Sequence, residues 1–246
     1  KPNAETKIGV VKFPRISNFT DFDPLDGEPT INLKYITKKD ELSSCDAIIL
    51  PGSKTTIADL NWLNQTGIAT AISDYHANGG IVMGICGGFQ MLGATIADPA
   101  GIEGIAGEYP GLNLIPLQTT ITATKTTRQR TTTTKYPHSN ISIAGYEIHQ
   151  GTTKWHSTGA NIANYEHLFT DDTLGLVDRE LTIWGTYLHG IFDNGTWRRN
   201  WLNQIRTRRH LSPITTDVLD YATQRDEIFD RLADSISEHL DLTPLM

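Results

Sequence analysis

Cys86 lies in GGIVMGICGGFQMLG (79–93), between glycine pairs where an apolar run ends and a helical pattern begins. Gly84-Ile85-Cys86-Gly87-Gly88 has the G-x-nucleophile-x-G spacing of an elbow, a tight strand-to-helix turn that holds a nucleophile in a strained backbone conformation. Flanking glycines remove the side chains that would collide there. The following helix would aim its amino end at the sulfur and favour thiolate, and the Gly87 amide would donate to a developing oxyanion. The competing reading is a packed core thiol at a glycine-rich turn, because free cysteines are among the most buried residues. A thiolate nucleophile needs a base to take up and return a proton, and histidine has the fitting pKa. Of the eight histidines, His189 stands out: TYLHG follows the apolar run ITIWG and so falls at a strand end, on the same rim as Cys86. Gly52 in ILPGSKTT closes another strand. It reads either as a second oxyanion amide or as a turn glycine before a helix capped by Ser53 or Thr55. GSKT is no phosphate loop, since Ser53 stands where that motif needs glycine, and without HExxH, CxxC or EF-hand spacing no protein-bound metal is expected.

These residues need a scaffold that brings strand ends together. The runs 7–13 (KIGVVKF), 46–50 (DAIIL) and 81–85 (IVMGI) read as buried parallel strands, and 57–78 reads as a helix ended by Gly79-Gly80. Strand, helix, strand alternation predicts a doubly wound, mostly parallel α/β sheet with helices on both faces, whose ligands lie beyond the carboxyl ends of the strands. The threonine-rich stretch 112–135 predicts antiparallel edge strands followed by an exposed loop. Residues 183–194 form another strand running into a loop. Residues 217–246 read as a carboxyl-terminal helical appendage, with Ile228, Phe229, Leu232, Ile236 and Leu240 at helical spacing, packed on the body or on a partner outside the chain.

Composition bounds the rest. The chain has 246 residues, 38% hydrophobic and 20% charged, with formal net charge −7 and no basic block. It is long enough for one large core, taken as a single domain over 1–246, and it lacks a surface for coating phosphates, so nucleic acid is excluded as a partner. No apolar run approaches the roughly 20 residues of a membrane helix, and no signal peptide opens the chain, so no membrane partner and a cytoplasmic location are expected. Cys45 and Cys86 are expected to remain thiols. The chain opens at Lys1 and reads as part of a longer protein.

GICGGFQ, ILPG and a histidine 103 residues after the cysteine together resemble the class I glutamine amidotransferases, whose elbow reads G-x-C-x-G-x-Q and whose fold is flavodoxin-like. Within them RISNFTDFDPL (15–25), LPGSKTTIADLNWL (50–63), GYEIHQG (145–151) and GTYLHGIFDN (185–194) resemble the cobyric acid synthase branch of the corrinoid pathway. The resemblance implies that Cys86 attacks the side-chain amide of L-glutamine and that His189 protonates the leaving ammonia, then activates water against the thioester. It implies further that the Gly52 and Gly87 amides hold the oxyanion and that Gln90 helps bind substrate. No cofactor is implied in this domain. ATP and Mg²⁺ belong to an amino-terminal synthetase domain, absent here, that amidates the b, d, e and g carboxylates of adenosylcobyrinic acid a,c-diamide. Ordinary class I domains carry a glutamate two residues after the histidine; here that residue is Ile191, which leaves Asp193 and Glu147 as candidates for the third triad member. Related alternatives are the glutaminase of cobyrinic acid a,c-diamide synthase or of a lipid II amidotransferase, and a non-catalytic binding domain that has kept the fold.

Overall fold

Short β-branched runs that cannot face water on either side form the centre of the molecule. The computed structural model describes residues 1, 4–156 and 162–239. In chain order the elements are β1 (Thr6–Val11), β2 (Ile16–Ser17), α1 (Asp23–Gly27), β3 (Ile31–Ile36), β4 (Ala47–Leu50), β5 (Gly52–Ser53), α2 (Thr56–Thr66), α3 (Ile68–Ala77), β6 (Ile81–Ile85) and α4 (Gly87–Leu92). There follow β7 (Thr95–Asp98), β8 (Gly107–Pro110), β9 (Leu117–Thr133), β10 (Ser142–Trp155), β11 (Tyr165–His167), β12 (Gly175–Asp178), β13 (Ile183–Thr186), β14 (Leu188–His189), α5 (Gly195–Arg208) and α6 (Tyr221–His239).

The main sheet has the order β11-β12-β13-β6-β4-β1-β3. From β13 to β3 every pairing is parallel, whereas β11 and β12 add an antiparallel edge. This is the expected doubly wound arrangement. AIIL of β4, IVMGI of β6 and IWGT of β13 are buried along their whole length, as strands covered on both faces must be. On one face Leu60, Leu63, Ile68 and Ile72 of α2 and α3 form a core; on the other Phe22, Leu25, Trp197 and Trp201 form a second.

The structure corrects the sequence reading at three places. The helix expected over 57–78 is two helices, because Gly67 adopts φ 73° and ends α2 before Ile68 starts α3; a glycine in the left-handed region is the ordinary helix terminator. Within 112–135 the expected antiparallel strand is present, but not the exposed loop expected to follow it: β9 runs for 17 residues to Thr133 against the 14 of β10 in a second sheet, of order β14-β10-β9-β7-β8. Its threonines are β-branched and favour extended backbone, and they pair across the sheet, as Thr119 Oγ1 and Thr153 Oγ1 do at 2.7 Å. Finally, the expected carboxyl-terminal helix is present as α6, but of the two placements expected for it packing on the body fails, since Ile228, Phe229, Leu232 and Ile236 are exposed; Leu240 lies outside the described residues.

The loops above the sheet are locked by a buried charge cluster. Glu28, which follows α1, accepts from Arg198 Nε at 2.9 Å and from Arg199 Nε at 3.1 Å, both on α5. Burial pushes the Glu28 carboxyl up, but the two guanidiniums outweigh it and hold the group below its ordinary value. Removing one partner of a buried ion pair leaves charge uncompensated. Arg198→Ala should therefore lower unfolding stability by about 3 kcal/mol in urea titrations, with a smaller loss for Arg199→Ala, whose side chain is partly solvated.

Candidate active site

β6 delivers Cys86 with φ 53° and ψ −111°, a conformation that costs a non-glycine residue about 1–3 kcal/mol and persists only where neighbours over-determine it. They do so here. Cys86 N donates to Thr186 O at 2.8 Å, Gly88 N to Pro51 O at 3.0 Å and Gln90 N to Cys86 O at 3.0 Å. A Cβ at Gly88 would stand 2.0 Å from Leu50 O, so only glycine lets α4 start this close to β4. The expected elbow is present. The thiol is 8% exposed but is not sealed in the core: it donates to Ile148 O at 3.2 Å and lines a cavity of about 300 Å³ with Gln90, Ser53, Lys54, Glu103, Lys125 and others.

His189 closes β14, opposite Tyr146 of β10, whose ring stacks on the imidazole at 5.0 Å. Its Nδ1 lies 2.6 Å from Asp21 Oδ2, and Asp21 Oδ1 accepts from Gly190 N at 3.2 Å. Asn18 Nδ2 is 3.2 Å from both ring nitrogens. Burial pulls the imidazole pKa down, but hydrogen bonding and charge from Asp21 and from Cys86 overcome it and push the value up to about 10. With Nδ1 held by Asp21, Nε2 is left for exchange with the sulfur. The site therefore favours an imidazolium beside the Cys86 sulfur, clamped from behind by a buried carboxylate.

That carboxylate is neither of the two expected from sequence. Glu147 is engaged elsewhere, accepting from Arg130 Nε at 2.7 Å and pairing with His149 Nε2 at 2.8 Å. Asp193 lies beside Gly190, its carboxyl pushed up to about 6 by burial and by the charge of Asp21. Asp21 comes from the turn Phe19–Phe22, 168 residues before the histidine. Its one sequence signal is its place within RISNFTDFDPL just after a strand end; Asn18, from the same stretch, was missed as well.

Gln90 lines the cavity, where its Nε2 donates to Gln150 O at 2.8 Å and its Oε1 accepts from Thr56 Oγ1 at 3.3 Å. Gly52 is close to the chemistry, since a Cβ there would lie 3.4 Å from His189 Cε1 and 2.9 Å from Ser17 Oγ. Its amide, however, points elsewhere. β2 and β5 pair antiparallel with Ser17 opposite Gly52 and Ile16 opposite Ser53, and Lys54 N donates to Arg15 O at 2.9 Å. Alternation along an antiparallel ladder makes Ser17 and Gly52 the pair that exchanges backbone bonds. The Gly52 amide is thus turned to Ser17, and the Ser53 amide faces the elbow, 3.1 Å from where a Gly87 Cβ would be. The helix-capping alternative is met by neither side chain: Thr55 is the N-cap of α2 without a side-chain cap bond, and Ser53 Oγ accepts from Thr55 N at 3.1 Å, before the first turn.

Residues 7–197 match the family model of the CobB/CobQ-like glutamine amidotransferase domain. The chain belongs to this family. Its 246 residues are 52% identical to a cobyric acid synthase of Nostoc sp. and 53% identical to one of Synechococcus elongatus, in each case over 100% of this chain and 50% of the relative. The chain thus spans about half the length of the curated relatives it matches. Among solved structures, a glutamine amidotransferase superposes with TM-score 0.55 at 16% identity, covering 82% of this chain and 95% of that one. The PurLQS structure from Thermotoga maritima gives 0.57 at 15%, covering 83% and 99%. At such identities the likeness speaks for the fold, which this glutamine amidotransferase domain shares.

The Asp21 contact sets the charge of His189, so Asp21→Asn should lower the imidazole pKa, because burial then meets less opposition. A ¹⁵N-resolved histidine titration should find His189 of the unaltered protein protonated past pH 9, a marked drop in Asp21→Asn, and no change in Glu147→Gln.

Proposed function

We propose that this domain hydrolyses glutamine through a thioester on Cys86 and serves as the ammonia-producing half of a cobyric acid synthase. The observation that carries the reading is the run of contacts from Asp21 through the buried His189 to the strained Cys86, which alone of the three lines the cavity. The sulfur attacks the side-chain amide carbon, and the amides of Gly87 and Ser53 receive the oxyanion. His189 Nε2 gives its proton to the departing ammonia and then takes one from the water that cleaves the thioester, releasing glutamate. Asp21 fixes the ring tautomer and stabilises the imidazolium throughout. Gly52 contributes clearance for the histidine rather than a donor. At the cavity rim Lys54, Lys125 and Glu103 offer charges complementary to the carboxylate and ammonium of a free amino acid.

Identity of 52–53% to cobyric acid synthases across this chain supports the corrinoid branch over the glutaminases of cobyrinic acid a,c-diamide synthase and lipid II amidation. On this reading the released ammonia amidates the b, d, e and g carboxylates of adenosylcobyrinic acid a,c-diamide in the half of the protein outside this chain, where ATP and Mg²⁺ activate them.

A glutamine-analogue electrophile such as 6-diazo-5-oxonorleucine separates an enzyme from a binding domain that has kept the fold. Peptide mass spectrometry should find the adduct on Cys86 and none in Cys86→Ser. Glutamate release should fall about 10²–10⁴-fold in His189→Ala and Asp21→Asn, the range for loss of acid–base catalysis, and little in Glu147→Gln. An unlabelled Cys86 with no glutamate released would sink the reading.

A further inference from the structure

We propose that the apolar face of α6 is the docking surface for the half of the full-length protein that lies outside this chain, an inference that rests on the two-half reading above. Ile228, Phe229, Leu232 and Ile236 are 54%, 58%, 54% and 39% exposed, and spacings of one, four and eight residues gather them on one side of the helix. The stripe runs for about 12 Å of helix at 1.5 Å per residue. Asp234 and Glu227 point the opposite way, so the helix has a dry side and a wet side, and the dry side is uncovered. A lone helix of this length is marginal in water and draws its stability from burying such a face.

Two observations choose the occupant. The match to the family model ends at residue 197, within α5, so α6 lies outside the matched segment. The double-length relatives nevertheless match the chain over all 246 residues. The helix is therefore kept in relatives whose other half, about as long as this chain, lies outside it, and that half is the occupant of fitting size. Contact with the body is concentrated at the root, where Gly195 N donates to Asp220 Oδ1 at 2.7 Å and the charge of Arg225 acts on Asp193, in the turn that follows His189. Docking along the stripe would thus bear on the loop that holds the histidine.

The test uses the full-length protein with the photo-crosslinking residue benzoylphenylalanine in place of Leu232, an exposed position whose replacement leaves the core untouched. Irradiation should join α6 peptides to peptides from outside residues 1–246 within a species of monomer mass, and the same probe at Asp234 should lose that product. Crosslinks only within residues 1–246, crosslinks in a species of doubled mass that mark a second copy, or no crosslink at all would each overturn the proposal. Glutamate release by the unaltered full-length protein is scored separately, so failure of the catalytic reading and failure of the docking surface give different results.

Discussion

The contact between Asp21 and His189 is the constraint around which the upper surface of this domain is arranged. A carboxylate and an imidazole buried together are tolerated only when their geometry is good and their remaining polar atoms are satisfied. Here the second carboxylate oxygen takes the Gly190 amide. The two residues are carried by loops that leave β1 and β13, and in the sheet these strands are separated by β4 and β6. Three strand spacings amount to about 14 Å, so both loops must fold inward over the carboxyl ends of the central strands. The β2–β5 pair draws the first loop across β4, and Glu28 with Arg198 ties the outer ends of both loops together.

What those loops converge on is itself held under tension. Cys86 ends the central strand in a conformation that side chains rarely adopt, and its local bonds reach three other places at once: Thr186 on β13, Pro51 after β4, and α4. Glycine at 84 and 88 lets backbone pass where a methyl group would collide with carbonyl atoms. The same crowding fixes the sulfur on the cavity side of the turn, within reach of the ring. Strain at the nucleophile and burial at the base are thus two consequences of one packing arrangement: close approach of strand ends roofed by two polar loops.

How much of this could be read from the sequence follows the range of each interaction. Cys86 was legible because an elbow is local: five consecutive residues define it. His189 was legible because a histidine at the end of an apolar run falls on the ligand-binding rim of a parallel sheet. Asp21 was not, since TDFDPLD offers three aspartates and only the fold of a 3-10 turn selects which one meets a histidine 168 residues away. Glu147 looked suitable from its neighbourhood in GYEIHQG, but a strand side chain faces what its ladder partners dictate, and Arg130 and His149 take it. The choice between the Gly52 and Ser53 amides likewise depends on hydrogen-bond phase along a two-residue ladder, which no hydrophobic period encodes. An antiparallel strand over 112–135 was legible from the branching of its threonines, but not its length, since threonine is also polar enough to suggest a loop where β9 in fact continues.

The size of the cavity adds a step to this argument. At about 300 Å³ it stands at the lower end of small-molecule pockets, which span roughly 300–1,000 Å³. An amino acid fits such a space and a macrocycle does not. On the proposed function any large acceptor is therefore held elsewhere, and the elbow, the histidine and the charged side chains of the cavity need only recognise a small donor and release a small product. On the proposed function this division accounts for a rigid, buried constellation at one end of the sheet beside a helix whose apolar face is left exposed. The residues proposed for the chemistry all lie within the domain, whereas the surface proposed to direct its product needs a second body to cover it.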